Sequence, residues 1–274
     1  MNTVIDEFSR LEHTGWERVA GKYDDVWASL TTQFIDPLLR AARVMPGMTV
    51  LDVACGPGYV AVAAQRFGAV PTGIDFSREM ILHARRLNPA IEFLEGDAQE
   101  LPFSPETFDR VLMNFGLLHL AKPEKAIAEA HRVLQHGGKL GFTLWAKPEE
   151  NPGAKMLNDA IEAHADMSVK LPDGPPYYLY TNKDECQREL HNIGFTRDSM
   201  TFETLCVKWK VPTLHFYFDA ELTAGVRTAA LLAQQSPDRL AKIRVAVERG
   251  VEQHATKHGY AIPMAAYIVT AAKK

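Results

Sequence analysis

The sequence predicts an α/β fold built around a parallel sheet, and three observations carry that prediction. The stretch Thr49-Val-Leu-Asp-Val-Ala-Cys-Gly-Pro-Gly58 runs a buried-strand pattern (Val50, Leu51, Val53, with Asp52 among them) into a turn of small residues, and Tyr59 to Phe67 then reads as a helix. From Gly68 onward a strand–helix rhythm repeats, as a parallel sheet requires. Acidic residues, Asp52, Asp75 and Asp97, stand at the ends of three successive predicted strands. Gly56 and Gly58 let the backbone turn sharply and let a ligand approach the peptide groups, and the following helix aims its unpaired N–H groups at the same place. The result is a cradle for a nucleotide-like ligand.

Taken in order, Trp16, Val19, Ala20, Tyr23 and Trp27 recur at helical spacing, and a second helix covers about 32–44 before Met45-Pro46-Gly47 breaks it. Val70 to Asp75 forms the second strand, with Pro71 tolerable near its start. Ser77 is suited to cap the next helix. Ile91 to Leu94 is the third strand and Phe108 to Asn114 the fourth. A helix opens at Pro123 with Ala126, Ile127, Ala130, Val133 and Leu134 on one stripe, and Gly137-Gly138 is expected to end it before a fifth strand, Lys139 to Trp145. After Trp145 the rhythm changes. An amphipathic helix leads to a Pro/Gly/Tyr-rich loop over 171–180, then a helix over 184–192 ends at Gly194. An extended stretch from Phe195 to about Val211 follows, then helices over 214–235 and 236–257, the second capped by Ser236 with Pro237 at its first position. Ala265 to Ala271 reads as the closing strand.

Composition narrows the function. A chain of 274 residues, 46% apolar and 23% charged, fits a soluble globular protein of one large domain or one domain with an insertion. A net charge of −4 offers no electrostatic reason to expect nucleic acid. No apolar run is long enough to span a bilayer, and the start, Met1 to Arg10, lacks a basic-then-apolar signal pattern. Cys55, Cys186 and Cys206 are odd in number and lack metal-type spacing, which predicts reduced thiols, no metal site and a cytoplasmic home. Cys55, inside the glycine turn, reads as a small buried filler, with a reactive thiol as the alternative.

The cradle's ligand can be read from its carboxylates. Gly56-Pro-Gly-Tyr-Val-Ala61 fits the loose dinucleotide fingerprint, G-x-G-x-x-G/A, a weak signal alone. Asp52, about one turn before the glycines, would repel a pyrophosphate and suits a ligand that carries positive charge. Asp75 lies 23 residues further on, where a carboxylate can accept from both ribose hydroxyls, each such bond contributing about 1.5–3 kcal/mol. The competing reading makes Asp75 a helix cap.

Val50 to Gly58 resembles motif I of the class I S-adenosylmethionine-dependent methyltransferases, with Ala54 where that pattern usually has its first glycine. Gly96-Asp-Ala-x-x-Leu-Pro-Phe103 resembles the family segment whose aspartate accepts from the adenine amino group. Phe115-Gly-Leu-Leu-His-Leu120 and the run from His131 through Gly137-Gly138 to Leu140 resemble two further family segments, so the matching stretch is about 50–145. The resemblance, to the small-molecule, quinone-biosynthesis-like branch, implies a doubly wound, Rossmann-like sheet of seven strands, the last antiparallel. Its ligand would lie at the carboxyl ends of the strands. It assigns residues 1–48 to a helical segment closing over the cofactor and 49–274 to the methyltransferase domain, with cap insertions at about 146–181 and 213–258. For S-adenosylmethionine and its product S-adenosylhomocysteine it implies contacts from Tyr23, Asp52, Ala54, Cys55, Gly56, Gly58, Asp75, Phe76, Met80, Gly96, Asp97, Ala98, Asn114, Phe115 and Gly116. His119 is the candidate base or orienting group. The aromatic cap (Tyr177, Tyr178, Tyr180, Phe216, Tyr217, Phe218), together with Trp145, favours a small acceptor with an apolar or aromatic body, methylated on O, N or C. Ordinary cap packing is the competing reading of those aromatics. The assembly expected is a monomer or homodimer. A non-methylating S-adenosylmethionine binder and a nicotinamide-dependent dehydrogenase stand as alternatives, although Asp52 and the Gly96–Phe103 phrase argue against the latter.

Overall fold

A computed structural model describes residues 6–274; the first five residues of the Met1 to Arg10 reading lie outside the described residues. In chain order the elements are α1 (Glu7–Val19), α2 (Tyr23–Val26), α3 (Ala28–Thr31), α4 (Ile35–Ala41), β1 (Thr49–Val53), α5 (Tyr59–Arg66), β2 (Val70–Asp75), α6 (Arg78–Leu87), β3 (Glu92–Glu95) and β4 (Phe108–Asn114). They continue with α7 (Pro123–Val133), β5 (Leu134–Trp145), α8 (Pro152–His164), α9 (Lys183–Ile193), β6 (Thr201–Val211), α10 (Phe216–Ala224), α11 (Arg227–Leu232), α12 (Pro237–Glu252), β7 (Ala255–Thr256) and β8 (Gly259–Ala272). Two compact units emerge. One holds 31–145, 175–205 and 267–274; the other holds 6–30, 146–174 and 206–266.

The sheet runs in the order β3-β2-β1-β4-β5-β8-β6, with β7 pairing β8 off that path, and β1 to β5 lie wholly in the first unit. β1 to β5 pair in parallel. The last strand is antiparallel: Lys273 N–H donates to the Gly138 carbonyl and Gly137 N–H to the Lys273 carbonyl. This is the doubly wound α/β sheet expected, with the two-residue β7 added to the seven main strands. Buried alternation explains the layers. Val50, Leu112 and Ile268 share one core cluster with Ile35, Leu38, Leu39, Ala42, Val60 and Ala64 of α4 and α5. The intervening residues Leu51 and Val111, fully buried, point to the opposite face. α7 packs against β5 and α9. Under the β1–α5 turn, Cys55 and Ala61 join Ile81, Ala84, Ile91 and Phe93 of the α6–β3 region.

Three local expectations are corrected. Gly137 does not end α7; that helix stops at Val133, where Leu134 turns extended at ψ 139°. Gly137, with φ 74°, lies inside β5, whose pairing with β4 shifts register between Phe108↔Leu134 and Arg110↔Lys139. The helix expected over 32–44 is shorter, a 3₁₀ turn at Thr32–Phe34 followed by α4. Carbonyls just past its C-terminus, free of helical partners, are met by a buried arginine: Arg110 donates from Nε to Ala42 O at 2.6 Å and from Nη2 to Arg43 O at 3.2 Å. The helix expected over 214–235 is two, because Gly225 adopts φ −73°, ψ 159° and closes α10 by donating to the Ala220 and Glu221 carbonyls.

The second unit is built mainly of helices. α8 and α12 pack side by side, burying Leu157, Ala160 and Ile161 of one and Ile243, Val247 and Val251 of the other. Tyr217 and Phe218 are core here, with Tyr217 Oη donating to Gly153 O at 3.1 Å and its ring against Trp209. For these two residues the packing reading of the aromatic cap is the observed one. Trp27 stacks on Trp209 and donates through Nε1 to Ala224 O at 2.9 Å, which ties the N-terminal helices to α10. Deeper still, Arg227 Nε donates to Glu12 at 2.8 Å, with Glu12 fully buried and the guanidinium lying over the Phe8 ring. Removing one member of such a pair strands the other charge out of water, at a cost of about 3–5 kcal/mol. Glu12→Ala and Arg227→Ala should therefore each shift the denaturant midpoint strongly. The double variant should lose much less than the sum, as a double-mutant cycle read by tryptophan fluorescence would measure.

Candidate functional site

The site is built where β1 ends, and two carboxylates shape it. Asp52 is buried within β1, and its Oδ2 accepts the N–H of Ala61 at 2.9 Å, so the carboxylate caps the first turn of α5. Asp75, at the end of β2, accepts from the Gly56 N–H at 2.8 Å and from the Ser77 N–H at 2.9 Å. The glycine turn is thus held from β1 and from β2 at once. Ser77 Oγ accepts from Met80 N–H and is the cap of α6, so that duty falls on Ser77 and not on Asp75.

The turn itself is tight. Ala54 has φ 52°, so an alanine adopts the left-handed conformation natural to the glycine usual there, at a cost of about 1 kcal/mol. A Cβ on Gly116, in the loop after β4, would stand 2.5 Å from the Ala54 Cβ, and one on Gly58 would stand 2.5 Å from the Phe93 ring. Only glycine lets these loops close together. At Gly56 the nearest atom to an added Cβ is Met80 Sδ at 4.0 Å, so the peptide there is open to a ligand. Met80 and Ala98 are buried, Phe76 and Gly96 are half-buried, and Asp97 is exposed.

After β4, Phe115 is again left-handed, at φ 58°. Its N–H donates to Thr143 Oγ1 at 2.8 Å, and that hydroxyl donates to Asn114 Oδ1 at 2.8 Å. The Asn114 amide completes the chain by donating to Thr31 O at 3.2 Å. The Asn114 side chain, a sequence-expected cofactor contact, thus also links β4 to β5 and to Thr31, the residue before the Thr32–Phe34 turn. Phe115 stacks on Trp145 with centroids 4.0 Å apart, and Phe34 meets both edge-on. Thr143 and Phe34 were not singled out in the sequence, because a threonine in a strand and a phenylalanine in a helix carry no motif of their own.

The loop over 96–103 is anchored from α7. Arg132 donates to Phe103 O at 2.7 Å and Leu101 O at 2.9 Å, while Glu129 accepts the Leu101 N–H at 2.8 Å. The two side chains also pair with each other, and Arg132 holds the Glu129 carboxyl below its ordinary range. The sequence signal was Arg132, inside the quoted run from His131.

Other sequence candidates are distributed less tightly. His119 is half-buried in a 3₁₀ turn, Leu117–His119, directly after Gly116. Tyr177 is exposed and meets Tyr178 edge-on. Tyr180 is buried, and its hydroxyl is pushed up to about 12, first by burial and then by the charges of Glu124 and Glu189. Tyr23 opens α2 in the helical unit with its ring 6.2 Å from Trp16. Cys55 is buried and its thiol is pushed well up by burial, consistent with a filler and not a nucleophile.

Asp52 carries the most telling electrostatics. Its Oδ1 is buried and has no hydrogen-bond partner, and burial, reinforced by Asp75, pushes the carboxyl up to about 8 against an ordinary 3.8. An orphaned acidic oxygen beside a second carboxylate fits a cationic ligand group and disfavours a phosphate. An ammonium-bearing ligand such as S-adenosylmethionine therefore suits the residues present. Around this site, a family model described as a methyltransferase domain matches residues 51–142. A demethylmenaquinone methyltransferase of Renibacterium salmoninarum is 37% identical over 194 residues, covering 66% of this chain and 82% of that protein. One of Paenarthrobacter aurescens is 32% identical over 199 residues, 67% of this chain and 78% of that protein. A solved S-adenosylmethionine-dependent methyltransferase of Thermotoga maritima superposes with a TM-score of 0.56 at 20% identity, covering 96% of this chain and all of that one.

The Asp52 shift has a measurable sign. Between about pH 4 and pH 8 the folded, ligand-free protein keeps a proton that the unfolded chain releases, so this group's contribution to stability falls as pH rises through that window. Asp52→Asn removes that dependence. The melting temperature of the variant relative to the parent should climb from about pH 4 to pH 8 and then level off; a flat difference would mean that Asp52 is ionised in the free protein.

Proposed function

The chain belongs to the class I S-adenosylmethionine-dependent methyltransferase family, and on that premise we propose that it methylates a small hydroxylated aromatic acceptor of the quinol type. The relatives named above act, by their names, on demethylmenaquinone. The observation that carries the reading here is the orphaned Oδ1 of Asp52, a buried demand for positive charge at the glycine turn.

In this reading Asp52 receives the amino group of the cofactor's methionine part and Asp75 the ribose hydroxyls. Asp97 receives the adenine amino group, with Gly56, Gly58, Phe76, Met80 and Ala98 shaping the walls. The bound cofactor supplies an activated methyl on a sulfonium. The protein's own work is alignment in a dry pocket, because the electrophile needs no further activation. Trp145, half-buried and stacked on the buried Phe115, is the ring we assign to meet a planar acceptor. His119 sits on the loop next to it and is the group we assign to hold, and take a proton from, a ring hydroxyl.

S-adenosylhomocysteine should raise the melting temperature and NAD should not, since only a ligand of the folded state stabilises it. Incubation of the protein with a demethylated naphthohydroquinone and S-adenosylmethionine should yield a product heavier by one methylene, detected by mass spectrometry. Stabilisation by S-adenosylhomocysteine with no methylated product from any such acceptor would leave a non-methylating role.

For His119, the assignment predicts that His119→Ala keeps S-adenosylhomocysteine affinity within a few-fold while turnover drops by about 10²–10⁴. Affinity, turnover and stability falling together would instead make it a loop-holding residue.

A further inference from the structure

In the loop after β3, the Asp97 carboxylate is already engaged by its neighbour. The Gln99 backbone N–H donates to Oδ1 at 2.8 Å, and the Gln99 side-chain Nε2 donates to Oδ1 at 3.0 Å and to Oδ2 at 3.2 Å. The amide nitrogen is thus nearly equidistant from the two oxygens and straddles the open end of the carboxylate. These three contacts occupy most of the roughly four lone-pair sites that a carboxylate offers. The other end of the amide is fixed as well: Gln99 Oε1 accepts the N–H of Lys122, the cap residue of α7, at 2.9 Å.

We propose that Gln99 is a built-in competitor for the adenine-binding carboxylate, its amide holding in the free protein the place that the cofactor's adenine amino group takes on binding. The proposal rests on the adenine role assigned to Asp97 above. The chemistry of the two donors matches. Each is an NH₂ on a planar carbon, able to direct an N–H along the same carboxylate lone pairs. An adenine amino group set across the same two oxygens takes the place of Nε2, so its entry displaces the Gln99 amide. The Lys122 N–H supplies the pivot, because Oε1 can stay bound while the amide swings off Asp97. Gln99 then sets cofactor affinity and sharpens the demand for an amino group, since only a ligand that can replace the lost donor recovers the bond. Asp97 is exposed, so the contact is a modest one and its removal should be correspondingly modest in effect.

The test is calorimetric titration with S-adenosylhomocysteine and with its analogue bearing purine, without the amino group, in place of adenine. Gln99→Ala and Gln99→Met should each bind S-adenosylhomocysteine about three- to tenfold more tightly, equivalent to about 0.7–1.4 kcal/mol. Affinity for the purine analogue should rise by a smaller factor, and Gln99→Ala should have no effect in an Asp97→Ala background. Unchanged or weaker S-adenosylhomocysteine binding in both Gln99 variants would overturn the proposal. If Gln99 only steadies the loop, both ligands should weaken alike and the melting temperature should fall. Parental affinity in Asp97→Ala would refute the adenine role itself and this proposal with it. Weakened Asp97→Ala alongside unimproved Gln99 variants would refute the competitor alone.

Discussion

The turn between β1 and α5 depends on two buried carboxylates, Asp52 and Asp75, that act on each other. Asp52 holds the start of α5 and Asp75 holds Gly56, so the backbone of the turn is clamped by hydrogen bonds to acidic groups from neighbouring strands. Each clamp is strongest when its carboxylate is ionised, yet ionising both in a buried place is unfavourable. Burial, reinforced by Asp75, pushes the Asp52 carboxyl up to about 8, and its second oxygen is left without a hydrogen-bond partner. A cationic ligand would resolve the conflict. The same feature that makes the turn rigid therefore makes it receptive, and structure and binding come from one electrostatic arrangement.

Around that turn the loops are held in place by groups that do not belong to it. Thr143 on β5 satisfies both Phe115 N–H and Asn114 Oδ1, which lets Phe115 remain in a left-handed conformation that a phenylalanine would not adopt unaided. Arg132 and Glu129 on α7 do the same for the segment from Leu101 to Phe103. Strain of about 1–3 kcal/mol at Phe115 is small beside the burial that surrounds it, but it has to be offset locally by fully made hydrogen bonds. These networks give the loops fixed positions without regular secondary structure.

The helical unit follows a different logic. Its core is aromatic, with Trp27, Phe216 and Tyr217 against Trp209 and Phe218 buried, and its Glu12–Arg227 ion pair has Glu12 fully out of water. A buried pair adds little net stability over apolar packing, but it penalises any arrangement in which the partners separate. That selects one register of α1 against α11. Gly225, which splits what the periodicity suggests is one helix, provides the corner at which α11 begins.

The sequence by itself determined the strand–turn–helix at 49–67, the parallel sheet, the acidic strand ends and the family. These are set by short-range rules: alternation of buried residues, glycines where the backbone must turn, and motif spacing within a few residues. The caps Ser77 and Ser236 were legible for the same reason. What only the tertiary structure decided are contacts between residues far apart in the chain. The side chain of Asn114 meets Thr31 and Thr143, 83 and 29 residues away, and Tyr180 is buried. Gly137-Gly138 signals a helix end equally well as a shift of strand register; the pairing of β5 with β4 chose the latter. Gln99 was invisible as a functional residue because its meaning lies in a carboxylate two residues away and a backbone N–H at position 122, brought together by the fold. Local propensity fixes elements, whereas the satisfaction of buried or shared polar groups is a property of the whole packed chain.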